Sequence, residues 1–184
     1  MSDSLSRIEN LEPHIFLVGF MASGKSTIGP LLAVALDRPF IDLDPLIEAR
    51  TGRTIAQLIA SEGEDRFRRI ETEILRETAE GAPAVIAPGG GAATRAENRD
   101  LMSNSGIIVW LDTPFELCWL RIQSDRTVRP LAPDKESART RYEQRLPLYR
   151  HNSIQIRTDE DLHPEKAVAE IVARIDAGII RGRS

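Results

Sequence analysis

Short apolar runs alternate along this chain with longer stretches of helical period. Runs bounded by turn residues predict strands at His14–Val18, Pro39–Asp42, Ala84–Ala87, Ile107–Leu111 and Ser153–Arg157. Between them the pattern predicts helices at Lys25–Leu36, Pro45–Arg50, Thr54–Ser61, Glu64–Glu80, Arg95–Met102, Pro114–Ser124, Ser137–Tyr149 and Pro164–Ile180. The 64–80 stretch carries Phe67, Ile70, Ile74 and Leu75 on one face. Thr94 with Glu97 and Thr113 with Glu116 fit capping boxes, and Pro114 suits a first helical position. Alternating strands and helices predict an α/β fold, a five-stranded parallel sheet flanked by helices in a three-layer sandwich. No repeat, low-complexity tract or long linker divides residues 1–184, so a single domain is expected. In such sheets ligands sit beyond the carboxyl ends of the strands, so chemistry is expected just after each one.

Four strand ends meet that expectation. After the first comes Gly19-Phe20-Met21-Ala22-Ser23-Gly24-Lys25-Ser26, the pattern G-x-x-x-x-G-K-[ST] between a strand and a helix. Backbone N–H groups in such a turn, with the helix dipole behind them, attract phosphate. Lys25 reaches the β- and γ-phosphates and the Ser26 hydroxyl can ligate Mg²⁺. The chain therefore reads as one that binds a nucleoside triphosphate.

After the second strand, Asp42 and Asp44 alternate on Phe40-Ile41-Asp42-Leu43-Asp44, which in extended backbone points both carboxylates to one side. One carboxylate near a triphosphate suits Mg²⁺, and a second suits an acceptor hydroxyl. On spacing alone Asp44 has another reading, as the cap of a helix opening at Pro45. After the third strand, Gly89-Gly90-Gly91 is either a turn or backbone that a ligand can approach with no Cβ in the way. After the fourth comes Asp112-Thr113-Pro114. Arg68 lies near the apolar side of its helix, where it can grip an anion bidentately with Glu71 holding it, whereas Arg69, Glu73 and Arg76 read as solvated surface. The most basic segment runs from Arg121 to Arg145, with Pro130 and Pro133 marking an irregular flap.

Composition narrows the picture. A net charge of −4 gives no broad footprint for nucleic acid. No apolar run reaches membrane-span length, and the polar start lacks the core of a signal peptide, so a cytoplasmic protein is expected. The single cysteine, Cys118, excludes an internal disulfide and reads as buried and inert; no Cys/His cluster resembles a zinc site.

The ordered set of motifs resembles the shikimate kinase family over nearly the whole chain. The resemblance rests on Gly19–Thr27, Phe40–Asp44, Phe67–Glu71, Gly89–Gly91, Thr127–Leu131 and the Arg-x-Pro-Leu-Tyr run Arg145–Tyr149. It implies a P-loop NTPase fold with substrate-binding helices at about 43–80 and a mobile lid at about 125–136. The implied reaction is ATP-dependent phosphorylation of the 3-hydroxyl of shikimate to shikimate 3-phosphate and ADP, in chorismate and aromatic amino-acid biosynthesis. Arg68 and Arg145 would then hold the substrate carboxylate, Asp44 would orient the 3-hydroxyl, and Gly89, Gly90 and Gly91 would cradle the substrate. Ala22, Ser23, Gly24, Lys25, Ser26 and Thr27 would bind nucleotide with Arg121 near the adenine; Ser26 and Asp42 would position Mg²⁺, and Lys25 and Arg129 would stabilise the transferring phosphoryl group. A monomer is expected. Two departures stand out. Ala22 occupies a position where the family usually has glycine, acceptable at negative φ but strained at positive φ, and Pro30 should remove a hydrogen bond from its helix and kink or shift it. A gluconate or nucleoside monophosphate kinase ranks below this reading. So does a non-catalytic ATP-binding protein, since Lys25, Asp44 and Arg129 are all present.

Overall fold

The computed structural model describes residues 13–124, 131, 133–160 and 162–182, with side chains to residue 178. Five strands, β1 (His14–Val18), β2 (Phe40–Asp42), β3 (Val85–Ala87), β4 (Gly106–Asp112) and β5 (Ser153–Arg157), form one sheet in the order β2-β3-β1-β4-β5. Every pairing is parallel, with Ile15 beside both Val85 and Ile107. Among the described residues eight helices cover it: α1 (Lys25–Ala35), α2 (Leu43–Thr51), α3 (Ile55–Glu62), α4 (Glu64–Ala79), α5 (Ala96–Ser105), α6 (Phe115–Ser124), α7 (Lys135–Arg150) and α8 (Pro164–Gly182). A short 3₁₀ turn, Ala92–Thr94, follows the glycine triplet. None of the described helices is long and apolar enough to cross a membrane.

The central strands are apolar throughout because both faces are covered. Along β1, Phe16 and Val18 join one core with Trp110, Leu43, Leu75 and Tyr149, while Ile15 and Leu17 join the other with Leu32, Val109, Ile171 and Ile175. The second core is closed by α1 and α8, and the first by α2 to α7. This is the three-layer α/β arrangement expected from the alternation of periods.

Several local expectations change in the folded chain. The second strand stops at Asp42, which caps α2 by accepting a 3.1 Å hydrogen bond from the Asp44 N–H at Oδ1. Asp44 is therefore helical, and period-2 geometry is not what brings the two carboxylates to one side. Because Asp42 does the capping, the Asp44 carboxylate is released from that duty. Neither predicted capping box forms around residues 94 and 113. Helix α5 begins at Ala96, and Thr94 Oγ1 instead donates to the Gly91 carbonyl at 2.7 Å, closing the 3₁₀ turn. Thr113 Oγ1 donates to the Ser23 carbonyl at 3.0 Å and shares a hydrogen bond with the Thr158 hydroxyl. Pro30 lies inside α1 without interrupting it. Its ring is exposed, so its bulk meets solvent, and the loss is confined to the bond to the Ser26 carbonyl. Helix α7 starts at Lys135, inside the range expected for the lid, with Asp134 as its cap.

Candidate active site

The strand ends open onto two cavities whose walls meet at Met21 and Ala22. The smaller, about 350 Å³, is walled by Ala22, Ser23, Gly24, Ser26 and Thr27 on one side and by the segment after β5 on the other. Gly24 adopts a left-handed conformation, φ 102°, immediately before α1, so the loop turns its backbone toward the helix start. Ala22 also sits at positive φ, 60°, the strained alternative for a residue with a Cβ. Its carbonyl accepts a 3.1 Å hydrogen bond from Arg121 Nη1, which anchors α6 to the loop and places Arg121 in the cavity wall. Lys25 Nζ reaches back to the Gly19 and Phe20 carbonyls at 3.0 and 3.1 Å. The Thr113 hydroxyl, bonded to both Ser23 and Thr158, ties the loop to the opposite wall.

The larger cavity, about 620 Å³, lies over Gly89-Gly90-Gly91. None of these glycines needs positive φ. They are needed for space, and much of that space is already taken by the protein. A Cβ on Gly89 would collide with Glu71 Oε1 and come within 3.2 Å of Asp44 Oδ1; one on Gly91 would collide with the Arg68 guanidinium. At Gly90 it would press on the Met21 nitrogen at 3.1 Å and the Gly19 carbonyl at 3.2 Å. The triplet is thus a packing floor on which Asp44, Glu71, Arg68 and the phosphate loop converge.

Charge is held tightly above that floor. Arg68, 6% exposed, donates through Nη1 to Glu71 Oε2 at 2.8 Å and through Nη2 to Glu64 Oε1 at 3.1 Å. Burial works against the guanidinium charge, but Glu71 and Glu64 outweigh it and hold Arg68 above its ordinary value. Glu71 is fully buried, and its other oxygen, Oε1, has no hydrogen-bond partner among the described residues. Burial pushes its carboxyl up, opposed by Arg68. From α7, Arg145 Nη1 donates to the Gly90 carbonyl at 3.1 Å, and the buried Tyr149 hydroxyl donates to the same oxygen. Arg145 also stands 5.8 Å over the Phe20 ring. Burial, then the charge of Asp42, push the Asp44 carboxyl up, while Lys25 and Arg68 pull it part of the way back. A carboxylate of raised basicity beside two arginines suits an anionic ligand that also presents a hydroxyl.

The expected residues fall into two groups, apart from Lys25, which lines neither cavity and is turned onto the Gly19 and Phe20 carbonyls. Asp42, Asp44, Arg68, Gly89, Gly90, Gly91 and Arg145 line the larger cavity; Ala22, Ser23, Gly24, Ser26, Thr27 and Arg121 line the smaller. Arg129 and most of the expected lid lie outside the described residues, although Leu131 reaches the wall of the larger cavity. Arg69, Glu73 and Arg76 are exposed, as expected. Cys118 is buried and its thiol is pushed up to about 11, chiefly by burial, so it is no nucleophile. No group of three or more His, Cys, Asp or Glu side chains is placed to hold a metal among the described residues. A hydroxyl at Ser26 and a carboxylate at Asp42 with one oxygen uncommitted fit a Mg²⁺ that keeps its waters and takes phosphate oxygens.

Some of the site was not anticipated. Ile55, Ile59 and Phe67 give the larger cavity its apolar side. Thr158, Asp159, Leu162, Pro164 and Ala167 form the far wall of the smaller one. The strand-end rule, applied to the fifth strand as well as the first four, points to that wall.

Comparison with known proteins gives a consistent result. Residues 21–176 match the family model described as shikimate kinase. A shikimate kinase of Salinibacter ruber is 40% identical over 177 residues, covering 89% of this chain and 85% of that protein. One from Nostoc punctiforme is 41% identical over 162 residues, covering 86% and 88%. The solved structure of shikimate kinase from Acinetobacter baumannii in complex with shikimate superposes with a TM-score of 0.82 at 36% identity, over 94% of this chain and 97% of that one.

Proposed function

The chain belongs to the shikimate kinase family, and we propose that it transfers the γ-phosphoryl group of ATP to the 3-hydroxyl of shikimate, giving shikimate 3-phosphate and ADP. The observation that carries this reading is the larger cavity, where two arginines from separate helices and the basic carboxylate of Asp44 share one glycine floor. Arg68 and Arg145 take the substrate carboxylate as charge-assisted hydrogen-bond donors. That leaves the ring hydroxyls to Asp44, which orients the 3-hydroxyl and accepts its proton as the new oxygen–phosphorus bond forms and the bond to the β-phosphate oxygen breaks. Ile55, Ile59 and Phe67 cover the apolar part of the ring and keep water out.

The smaller cavity takes the nucleotide, with its phosphates at the start of α1 and its base toward Arg121 and the segment after β5. Lys25 leaves the loop carbonyls to meet the β- and γ-phosphates, and Arg129 adds a second positive charge at the transferring group. Ser26 and Asp42 would hold Mg²⁺, which would neutralise phosphate charge. The test is ADP release from Mg²⁺-ATP with shikimate, gluconate or a nucleoside monophosphate as acceptor. Turnover confined to shikimate is expected. Turnover with another acceptor alone would keep the kinase and overturn the carboxylate pocket, and tight ATP binding with no turnover would overturn the enzyme.

A further inference from the structure

The two arginines that grip the carboxylate come from different helices, and neither helix alone fixes the distance between them. We propose that Glu64 and Arg141 form a charged strap between these helices that holds and tunes Arg68, which makes them positioning residues for substrate recognition; the inference deepens the functional reading above and rests on it.

The strap is a continuous run of charge. Arg68 is held within α4 by Glu71, and one turn earlier on the same helix Glu64 Oε1 takes its Nη2. The second oxygen of Glu64, Oε2, receives Arg141 Nη2 from α7 at 3.4 Å. Arg141 stands one helical turn before Arg145, so the two project from the same side of α7. Arg68–Glu64–Arg141 thus runs from the helix of one gripping arginine to the helix of the other. Neither Glu64 nor Arg141 lines the larger cavity, so their role is to place Arg68 and not to touch the ligand. Glu64 is also favoured where it is, since a carboxylate in the first turn of α4 complements the helix dipole.

The pair contributes little to folding. Its side chains are 34% and 35% exposed, and partly exposed ion pairs have small net stability. Its effect is on the field at Arg68. Glu64 divides its negative charge between two cations. Without Arg141, the whole of that charge falls on Arg68, which is drawn toward Glu64 and offers less positive potential to an incoming carboxylate. With a neutral glutamine at position 64 there is no charge to divide, and Arg141 then has nothing to act through.

The experiment is steady-state kinetics on the full chain with Arg141→Ala, Arg141→Lys, Glu64→Gln and Glu64→Gln/Arg141→Ala, alongside thermal melts. Arg141→Ala should raise the shikimate KM about 5-fold, the scale of a partly exposed ion pair, with kcat, KM for ATP and Tm near those of the parent. Arg141→Lys should restore most of the loss. In the Glu64→Gln background the Arg141→Ala change should have no further effect. An unchanged shikimate KM in Arg141→Ala, or the same increase in both backgrounds, would overturn the strap. A parent protein that does not phosphorylate shikimate would overturn the functional reading and the strap with it.

Discussion

The two cavities are walled by opposite means. The smaller takes half of its wall from one short stretch, Ala22 to Ile28 without Lys25, whose side chains at Ser26 and Thr27 are exposed, and the rest from Arg121 and the segment after β5. The larger is assembled from segments far apart in the chain, and its two arginines are buried and held in place, Arg68 by Glu71 and Glu64 and Arg145 by the Gly90 carbonyl, over a floor of glycines. A backbone site recognises phosphate, a group common to every nucleotide. The proposed substrate site, built from held side chains, would recognise one arrangement of carboxylate and hydroxyls. The contrast teaches that generality and specificity are carried in this molecule by different parts of the polypeptide, with different stakes for folding.

That contrast can be pressed at several points. The largest effect should come from Asp44→Asn, which keeps the shape of the larger cavity but removes the carboxylate proposed as its base. Its kcat should fall on the order of 10³-fold while ATP binding is retained, as read by turnover and nucleotide titration. Next is Arg68→Ala, which strips Glu71 of its buried partner. A broken buried pair costs about 3–5 kcal/mol, so urea unfolding should show a loss of that size. Ser26→Ala and Thr27→Ala, at exposed positions in the first turn of α1, should stay within about 0.5 kcal/mol of the parent. Equal losses on both sides would erase the distinction.

Asp44 also supplies a pH test. Its folded carboxyl is raised by burial and by Asp42, so the base is lost on acidification at a pH above the ordinary aspartate value of 3.8. The acid limb of kcat/KM for shikimate should lie above that value and move to lower pH in Asp42→Asn. For stability the sign is opposite to that of a salt-bridged carboxylate. The ionised form is the costly one, so Asp44→Asn should be more stable than the parent at neutral pH, with the gain shrinking as pH falls through the folded pKa. A modest stabilising effect is expected at Ala22. Relieving a left-handed alanine gains about 1–2 kcal/mol, less the ~0.5–1 kcal/mol of flexibility that glycine adds, so Ala22→Gly should raise Tm by up to about 6 °C.

The two cavities also differ in how far they can be read from sequence. The phosphate loop is legible because its chemistry depends on neighbours in the chain, and the parallel strands because each carries a short apolar run, nearly unbroken in the buried β1, β3 and β4. Asp44 points into the larger cavity for a reason the extended pattern does not contain, namely that Asp42 ends the strand and caps the helix. Thr113 resembles a helix cap in sequence, yet its hydroxyl serves Ser23 and Thr158, residues 90 and 45 positions away. The glycine triplet looks like open backbone until Glu71 and Arg68 are seen filling the space beside it. Glu64 and Arg141 read as ordinary surface charges because their pairing spans 77 residues. Contacts of this range depend on the packing of α4 and α7 around the sheet, which no local pattern encodes.

The most direct test of this division of labour is a pair of equilibrium titrations, shikimate and Mg²⁺-ATP each against the parent and Arg145→Ala. The account predicts that Arg145→Ala loses roughly 2–5 kcal/mol of shikimate affinity, the cost of removing one partner of a desolvated charge pair, and binds nucleotide as the parent does. Shikimate affinity equal to that of the parent, or parallel losses for both ligands, would contradict it.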